Sequence, residues 1–390
     1  MASFPYGGQL RAFFKKKTRR LLLCGIGVLL VSALALTAVF VVLPAMQNRE
    51  ARASAEEAFE DPAVQADYAA AEALLAAGNK GAAAIAFARL GDYRDAKERS
   101  RQLWDAAAER HTVSAGNYHT VALRSDGTVT AVGRNDHGQC DVDDWRDIVA
   151  VSAGGNHTVG LRKDGTVVAV GWNDAGCEVD LDDFGQCDVE DWRDIVAISA
   201  GHNHTVGLRN DGTVVAVGLD EHGKCDVSDW RDIVAVAAKG SYTVGLRSDG
   251  TVVVVGHNSG RFDLSGWHDI VAIAVGSHII GLRKDGTVAA VGWNDDGKCD
   301  VSDWEDIVAV STGSFYTVGL RSDGTAVAVG WNDYGQCDVG DWKDIVAVAA
   351  GSCHTVGLRS DGTVVAVGDA GSGECDVGSW HSIRLPQSIR

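Results

Sequence analysis

The sequence predicts an all-β propeller of seven blades, preceded by a transmembrane helix and a short α-helical stalk. Three observations carry this. The stretch HTVGLRSDGTVVAVG at 354–368 recurs with one changed letter at 157–171 and at 204–218. Its glycine falls at Gly127, Gly165, Gly212, Gly250, Gly286, Gly324 and Gly362, giving spacings of 38, 47, 38, 36, 38 and 38 residues. Residues 21 to 48 are uncharged and mostly apolar, a run long enough to cross a bilayer core as helix.

Each copy holds three runs such as DIVAVSAG, HTVGLR and TVVAVG, with a fourth short one around QCDV. Runs of four to seven residues rich in Val and Ile, ending at Gly or Asp, are strand signals. The Asp-Gly pair between HTVGLR and TVVAVG makes a tight hairpin, because glycine accepts the positive φ that such a turn needs. TVVAVG is apolar on both faces and so must be covered twice, as between neighbouring sheets. A lone blade has nothing to bury its valines against. Seven blades in a ring cover one another and leave no apolar end to cap. A second marker, the tryptophan of DWRDIV, recurs at 145, 192, 230, 267, 304, 342 and 380. RHTVSAG at 110–116 and HSIRLP at 381–386 offer strands of the same type, and one of them must complete the blade begun at the other end.

Four segments follow. Residues 1–20 form a basic tail, 21–46 a membrane anchor, 55–109 a helical stalk and 110–386 the propeller. The first 20 residues carry six Lys or Arg and no acid; the net charge of -18 therefore leaves the rest of the chain at -24. A basic flank before the apolar run keeps the N-terminus cytoplasmic and puts the propeller outside the cytoplasm. The apolar core is longer than that of a secretory signal, although ARASA at 51–55 offers small residues for cleavage. The stalk is rich in Ala, Glu, Arg and Leu, with breaks at Gly78-Asn79 and Gly91-Asp92 that divide it into two or three short helices. So acidic a body is a poor partner for nucleic acid, which needs clustered Lys and Arg.

The pattern AGxxHTVxLRxDGxVxAVGxNxxGQ, repeated seven times in phase over 110–385, resembles the regulator of chromosome condensation repeat. GQCDV stands where that family usually has GQLG, Val replaces an aromatic before AVG, and the repeats are short. The short form is more similar to secreted bacterial propellers that inhibit β-lactamases than to the nuclear exchange factor. That factor depends on extra basic and loop elements with no counterpart here, so none of its functional residues is carried over. Ala83 and Phe87, followed by LGDYRDA, resemble the second helix of a single tetratricopeptide repeat.

Five histidines share one repeat position (His119, His157, His204, His278 and His354), with Tyr242 and Tyr316 in the other two copies. A ring of imidazoles is a possible metal site, but exchange with tyrosine fits packing and one hydrogen bond. Six cysteines also share a position (Cys140, Cys187, Cys225, Cys299, Cys337 and Cys375), with Phe262 in the remaining copy. Packed sheets lie about 10 Å apart and a disulfide needs Cα atoms within about 7 Å, so buried free thiols are expected. Glu178, Asp180, Asp182 and Asp183 offer oxygen ligands for Ca²⁺ but lack EF-hand spacing and read as solvated acid. There is no GxSxG, no phosphate loop between strand and helix, and no HExxH, so neither an enzyme nor a cofactor is expected.

Comparison of the copies points to a binding face. Alternating strands put the AGxx and GWND loops on one face of the ring, and the Asp-Gly turn and CDVxDW connection on the other. Variation gathers on the first. The expected partner-binding residues are Trp172, Trp293, Trp331, Tyr334, Tyr118, Phe315, Lys239 and His257. Lys239 and Val275 stand where other copies have glycine, and the only insertion, around 177–184, and the only shortening, around 259–261, fall in the same loops. The expected partner is a protein or a cell-surface polymer. Two other readings are an inhibitor-like propeller that grips a periplasmic or secreted enzyme, and an exchange factor for a small GTPase.

Overall fold

Residues 61–108, 111–173 and 184–386 are described by a computed structural model. The expected anchor at 21–46, its basic flank, the first residues of the stalk and the acidic loop Glu178–Asp183 lie outside the described residues. Among the described residues no helix is long and apolar enough to cross a membrane.

The glycine breaks divide the helical segment as the composition predicts, into α1 (Pro62–Ala76), α2 (Lys80–Arg89) and α3 (Ala96–Ala108). Asn79 caps α2, its side chain accepting from the Ala82 amide at 3.1 Å. Of the described residues, 61–66 and Asp92–Arg94 fall in one compact unit, and 67–91 with those from Asp95 onward in the other.

In that larger unit the repeats fold into seven antiparallel sheets, each built from three strands consecutive in sequence. Blade two is typical, with strands Ile148–Ala153, His157–Arg162 and Val167–Gly171. First strands touch from blade to blade all the way round, and the first strands of blades one and seven close the ring. The middle strand HTVGLR is buried along nearly its whole length, whereas TVVAVG, the outermost, is buried at its first valine and half-buried beyond it.

The fourth strand expected around QCDV does not form in any sheet. After Gln139 the chain makes successive turns, with Asp141 N donating to Gly138 O, Val142 N to Cys140 O and Trp145 N to Val142 O. The cause is local: the Asn135 side chain captures the Cys140 amide, at 2.8 Å, that a ladder would need. The turns deliver Trp145 onto the next sheet, where a Cβ added at Gly160 would stand 2.5 Å from the indole Cζ3. The same tryptophan-on-glycine contact recurs at Gly207, Gly245, Gly281, Gly319 and Gly357, and Ala122 takes the place of that glycine in blade one.

Closure uses both ends of the propeller. Val113–Ala115 pairs with Ala122, Val121 and Thr120, which is only part of a first strand. The missing part comes from the C-terminus: Ile383 bridges Arg124, and the Arg384 amide donates to Leu123 O at 2.9 Å. Ile383 thus fills the place that Ile148 takes opposite Arg162 in blade two. Ser382 has φ +58°, matching the left-handed aspartates Asp147, Asp194, Asp232, Asp269, Asp306 and Asp344 that introduce the other first strands. Both expected terminal strands are used, joined into one composite strand.

Candidate partner-binding face

Hydrogen bonds fix which loops share a face. The third loop opens with an amide bonded to the first loop of its own blade: Arg134 N to Tyr118 O at 2.8 Å, Trp172 N to Asn156 O at 2.8 Å, Trp331 N to Phe315 O at 3.0 Å. On the opposite side the Asp-Gly turn bonds the tryptophan connection, with Ile148 N to Gly127 O at 3.0 Å and Lys163 N to Asp147 O at 2.9 Å. The variable loops therefore form one face and the constant turns the other.

Within the third loop, what repeats is a brace and what varies is its tip. Asn135 accepts from Cys140 N and donates to Asp141 at 2.8 Å; Asn294 and Asn332 do the same in blades five and six. Asn173 makes both bonds, to Cys187 N and Asp188, across the insertion in blade two. The cysteine thiol then donates to the carbonyl of the tip residue, Cys140 to Arg134 O and Cys337 to Trp331 O at 3.4 Å. Cys140, Cys225, Cys299, Cys337, Cys353 and Cys375 are free, half-buried rather than buried. Burial pushes the Cys140, Cys337 and Cys375 thiols up to about 11 and Cys225 up to about 12.

Four expected site residues are exposed on the variable face: Trp293 by 61%, Tyr334 by 50%, Phe315 by 45% and Tyr118 by 40%. They are the only exposed aromatics among the large hydrophobic side chains of the described residues. Blade six brings Phe315, Trp331 and Tyr334 together, the Trp331 ring lying 6.0 Å from Phe315 and 5.3 Å from Tyr334, both edge-on. Lys298, arriving from blade five, places its ammonium 5.8 Å from the Phe315 ring. Trp172 is half-buried between His137 of blade one, 5.6 Å away and stacked, and Phe184 at 5.5 Å. His257 meets His222 of blade three at 4.3 Å. Arg134 covers the Tyr118 ring at 5.7 Å and, with Asp136 and Ser372, lines a shallow depression beside it.

Lys239 does not belong with this set. Its side chain crosses the hub from blade four, and the ammonium donates to Thr312 O of blade six at 2.8 Å and Ala350 O of blade seven at 2.6 Å. The reason is steric. At this position blades one, two, five and seven bring backbone against backbone: a Cβ at Gly116 would lie 2.5 Å from Gly154 O, and in blade five it is Gly276, not Val275, that takes the place, against Gly313 O. The Lys239 side chain instead reaches across the centre of the ring. Burial pushes the Lys239 pKa down to about 7.

The repeat-position histidines face the neighbouring blade. His119 Nε2 lies 2.9 Å from Thr158 Oγ1, and His157, His204, His278 and His354 meet Thr205, Thr243, Thr317 and Thr120 in the same way. Each threonine hydroxyl donates to a backbone carbonyl, Thr158 to Gln139 O at 2.7 Å, so it must accept from imidazole Nε2–H. Tyr316 stands in for histidine: its hydroxyl lies 3.0 Å from Thr355 Oγ1 and donates to His354 O at 2.5 Å. Blade five carries Ile279 in place of threonine, and there Tyr242 of blade four packs with Phe262, Val275 and Ile279 instead. Among the described residues no cluster of three or more His, Cys, Asp or Glu side chains is arranged to hold a metal.

The family model for the Regulator of chromosome condensation (RCC1) repeat matches residues 111–139, 148–177, 195–224, 307–336 and 345–374. The chain carries RCC1 repeats. The five matches cover corresponding parts of blades one, two, three, six and seven; the blades between them hold Lys239, Tyr242 and Ile279. Solved structures that share the fold include two receptor-kinase ectodomains. The ectodomain of the Physcomitrella patens receptor kinase CR4 is 19% identical, covering 66% of this chain and 72% of its own, with a TM-score of 0.50. The CRINKLY WD40 ectodomain of the Arabidopsis thaliana receptor kinase ACR4 is 23% identical, covering 66% of this chain and 95% of its own, with a TM-score of 0.50. No curated protein matches the chain.

Proposed function

We propose that this RCC1-repeat propeller is a binding module that holds a protein or a cell-surface polymer on its variable face. The observation that carries the proposal is the segregation of aromatic residues. Trp293, Tyr334, Phe315 and Tyr118 project from the variable face, while six of the seven repeat tryptophans of the constant face, Trp145, Trp192, Trp230, Trp304, Trp342 and Trp380, are at most 7% exposed and the seventh, Trp267, is half-buried. Aromatic side chains held at loop tips by a rigid scaffold are typical anchors of protein interfaces. The identical braces beneath them fit a scaffold that keeps its form while the tips adapt to a ligand without sevenfold symmetry.

The basic flank and the apolar run at 21–46 place this module, in our reading, on the outer side of a membrane, anchored by a single pass. Helices α2 and α3 seat on the constant face, which leaves the aromatic tips free on the other side. The test uses the full chain carrying a cleavable cross-linker to retain its partner from the native membrane. The recovered partner is then titrated against purified chains. Replacing Trp293 and Tyr334 together by Ala weakens binding at least tenfold on this reading, about 1.4 kcal/mol. Replacing Asp126 and Asp361 of the constant turns leaves it unchanged. The reverse order of effects rules the reading out.

A further inference from the structure

The constant face already shows how it holds a helix. In α2, Gly81, Ile85 and Arg89 are spaced four apart and share one side. A Cβ at Gly81 would meet Val234 Cγ1 at 2.6 Å, so only glycine lets the helix come so close. Ile85 Cδ1 lies 2.9 Å from where a Cβ on the turn residue Gly212 would stand. Arg89 reaches Asp232 at 2.8 Å, the Trp104 indole of α3 donates to Asn210 O at 3.1 Å, and Asn79 donates to Ser248 O at 3.1 Å. Ala84, Ile85 and Trp104 thereby join the core of blades three and four.

Nearly everything this seat offers is part of the repeat. Two of the acceptors are turn carbonyls, which any residue supplies; the carboxylate recurs as Asp269 and Asp306, and the turn glycine as Gly250 and Gly286. The valine beneath Gly81 recurs as Val271 and Val308, which are 46% and 40% exposed where Val234 is half-buried. The copies that no described helix covers adjoin the occupied one, because the Ser248–Gly250 turn that receives Asn79 also packs against Asp269 and Ile270.

We propose that the constant face of blades four to six is a docking surface for an α-helical hairpin of a partner protein. Such a hairpin sits there as α2 and α3 sit on blades three and four. Its first helix carries a small residue, an aliphatic residue and an arginine at four-residue intervals: the small residue lies over Val271 or Val308, the aliphatic one over Gly250 or Gly286, and the arginine on Asp269 or Asp306. His268 holds the Asp269 carboxylate at 3.0 Å, so the seat at Val308 and Asp306 is the more open. This surface lies opposite the aromatic tips and does not depend on what they bind.

The probe is a helix-stapled peptide of residues 79–108, added to the full chain whose own α2 and α3 remain seated. Saturable binding is expected, with new hydrogen-exchange protection at 269–286 and 306–324. The exposed pair Val271→Asp and Val308→Asp weakens it at least tenfold, while Trp293→Ala has no effect. A peptide carrying Ile85→Asp and Arg89→Glu loses binding to the unaltered chain, so the result does not hang on one altered fold. Absence of saturable binding up to about 1 mM, or binding that survives both sets of substitutions, overturns the proposal.

Discussion

Acid should loosen this propeller well before its carboxylates titrate. The five repeat-position histidines are buried with no exposed surface, and burial pushes His119 down to about 4 and His157, His204, His278 and His354 down to about 3. In the unfolded chain each returns to about 6.5. The unfolded state therefore binds more protons below pH 6.5, so stability is complete above that value and falls as pH drops toward the folded pKa values. One pH unit below 6.5 costs about 1.4 kcal/mol per histidine, or roughly 7 kcal/mol for five at pH 5.5. That is comparable to the whole stability of a typical domain, about 5–15 kcal/mol. The turn aspartates Asp126, Asp164, Asp249, Asp285, Asp323 and Asp361, held below the ordinary range by hydrogen bonds from the threonine two residues on, do not compete at this pH. The assay is urea unfolding at pH 7.5, 6.5 and 5.5 with proton uptake measured alongside. A midpoint unchanged across this range, or imidazole NMR signals of these five histidines that titrate near 6.5 in the folded protein, refutes the reasoning.

Replacing Lys239 by Ala removes the cation that bridges three blades and leaves Thr312 O and Ala350 O without it; about 1–3 kcal/mol of stability should be lost at pH 6, and an unchanged urea midpoint would show that the bridge contributes nothing. Trp104→Ala empties a site in the core of blades three and four and should cost about 3–5 kcal/mol, checked by calorimetry. Cys140, Cys337 and Cys375, with thiols raised to about 11, should resist a thiol reagent at pH 8 in the native protein and react once urea unfolds it; fast native labelling contradicts this. Ile383→Asp puts a charge into the composite strand and should lower the melting temperature far more than Leu385→Asp, which is exposed.

Much of this architecture was legible because it is local. Short Val- and Ile-rich runs, Asp-Gly turns and the glycine breaks of the helices each depend on a few adjacent residues, and seven repetitions make the first two plain. The division into two faces follows from strand alternation alone. What the sequence hid depends on neighbours distant in the chain. QCDV looks like a strand until Asn135 is seen to hold the amide of Cys140. The column of glycines in HTVGLR looks like a weakness of the strand until Trp145 is seen above Gly160. The histidine ring gave one usable signal: threonine is replaced only at Ile279, and the blade before it carries Tyr242 in place of histidine. Lys239 looked like a surface cation because its position lies next to a variable loop. Only the closeness of the backbones at the hub shows why a side chain there reaches across the ring.

The central claim is that the aromatic tips of the variable face hold a partner. A photo-reactive phenylalanine analogue placed at Trp293 in one full-length chain and at Asp126, in the constant turn of blade one, in another tests it in cells. The account predicts a cross-linked partner from position 293 and none from position 126. Cross-linking from position 126, with none from position 293, would contradict it.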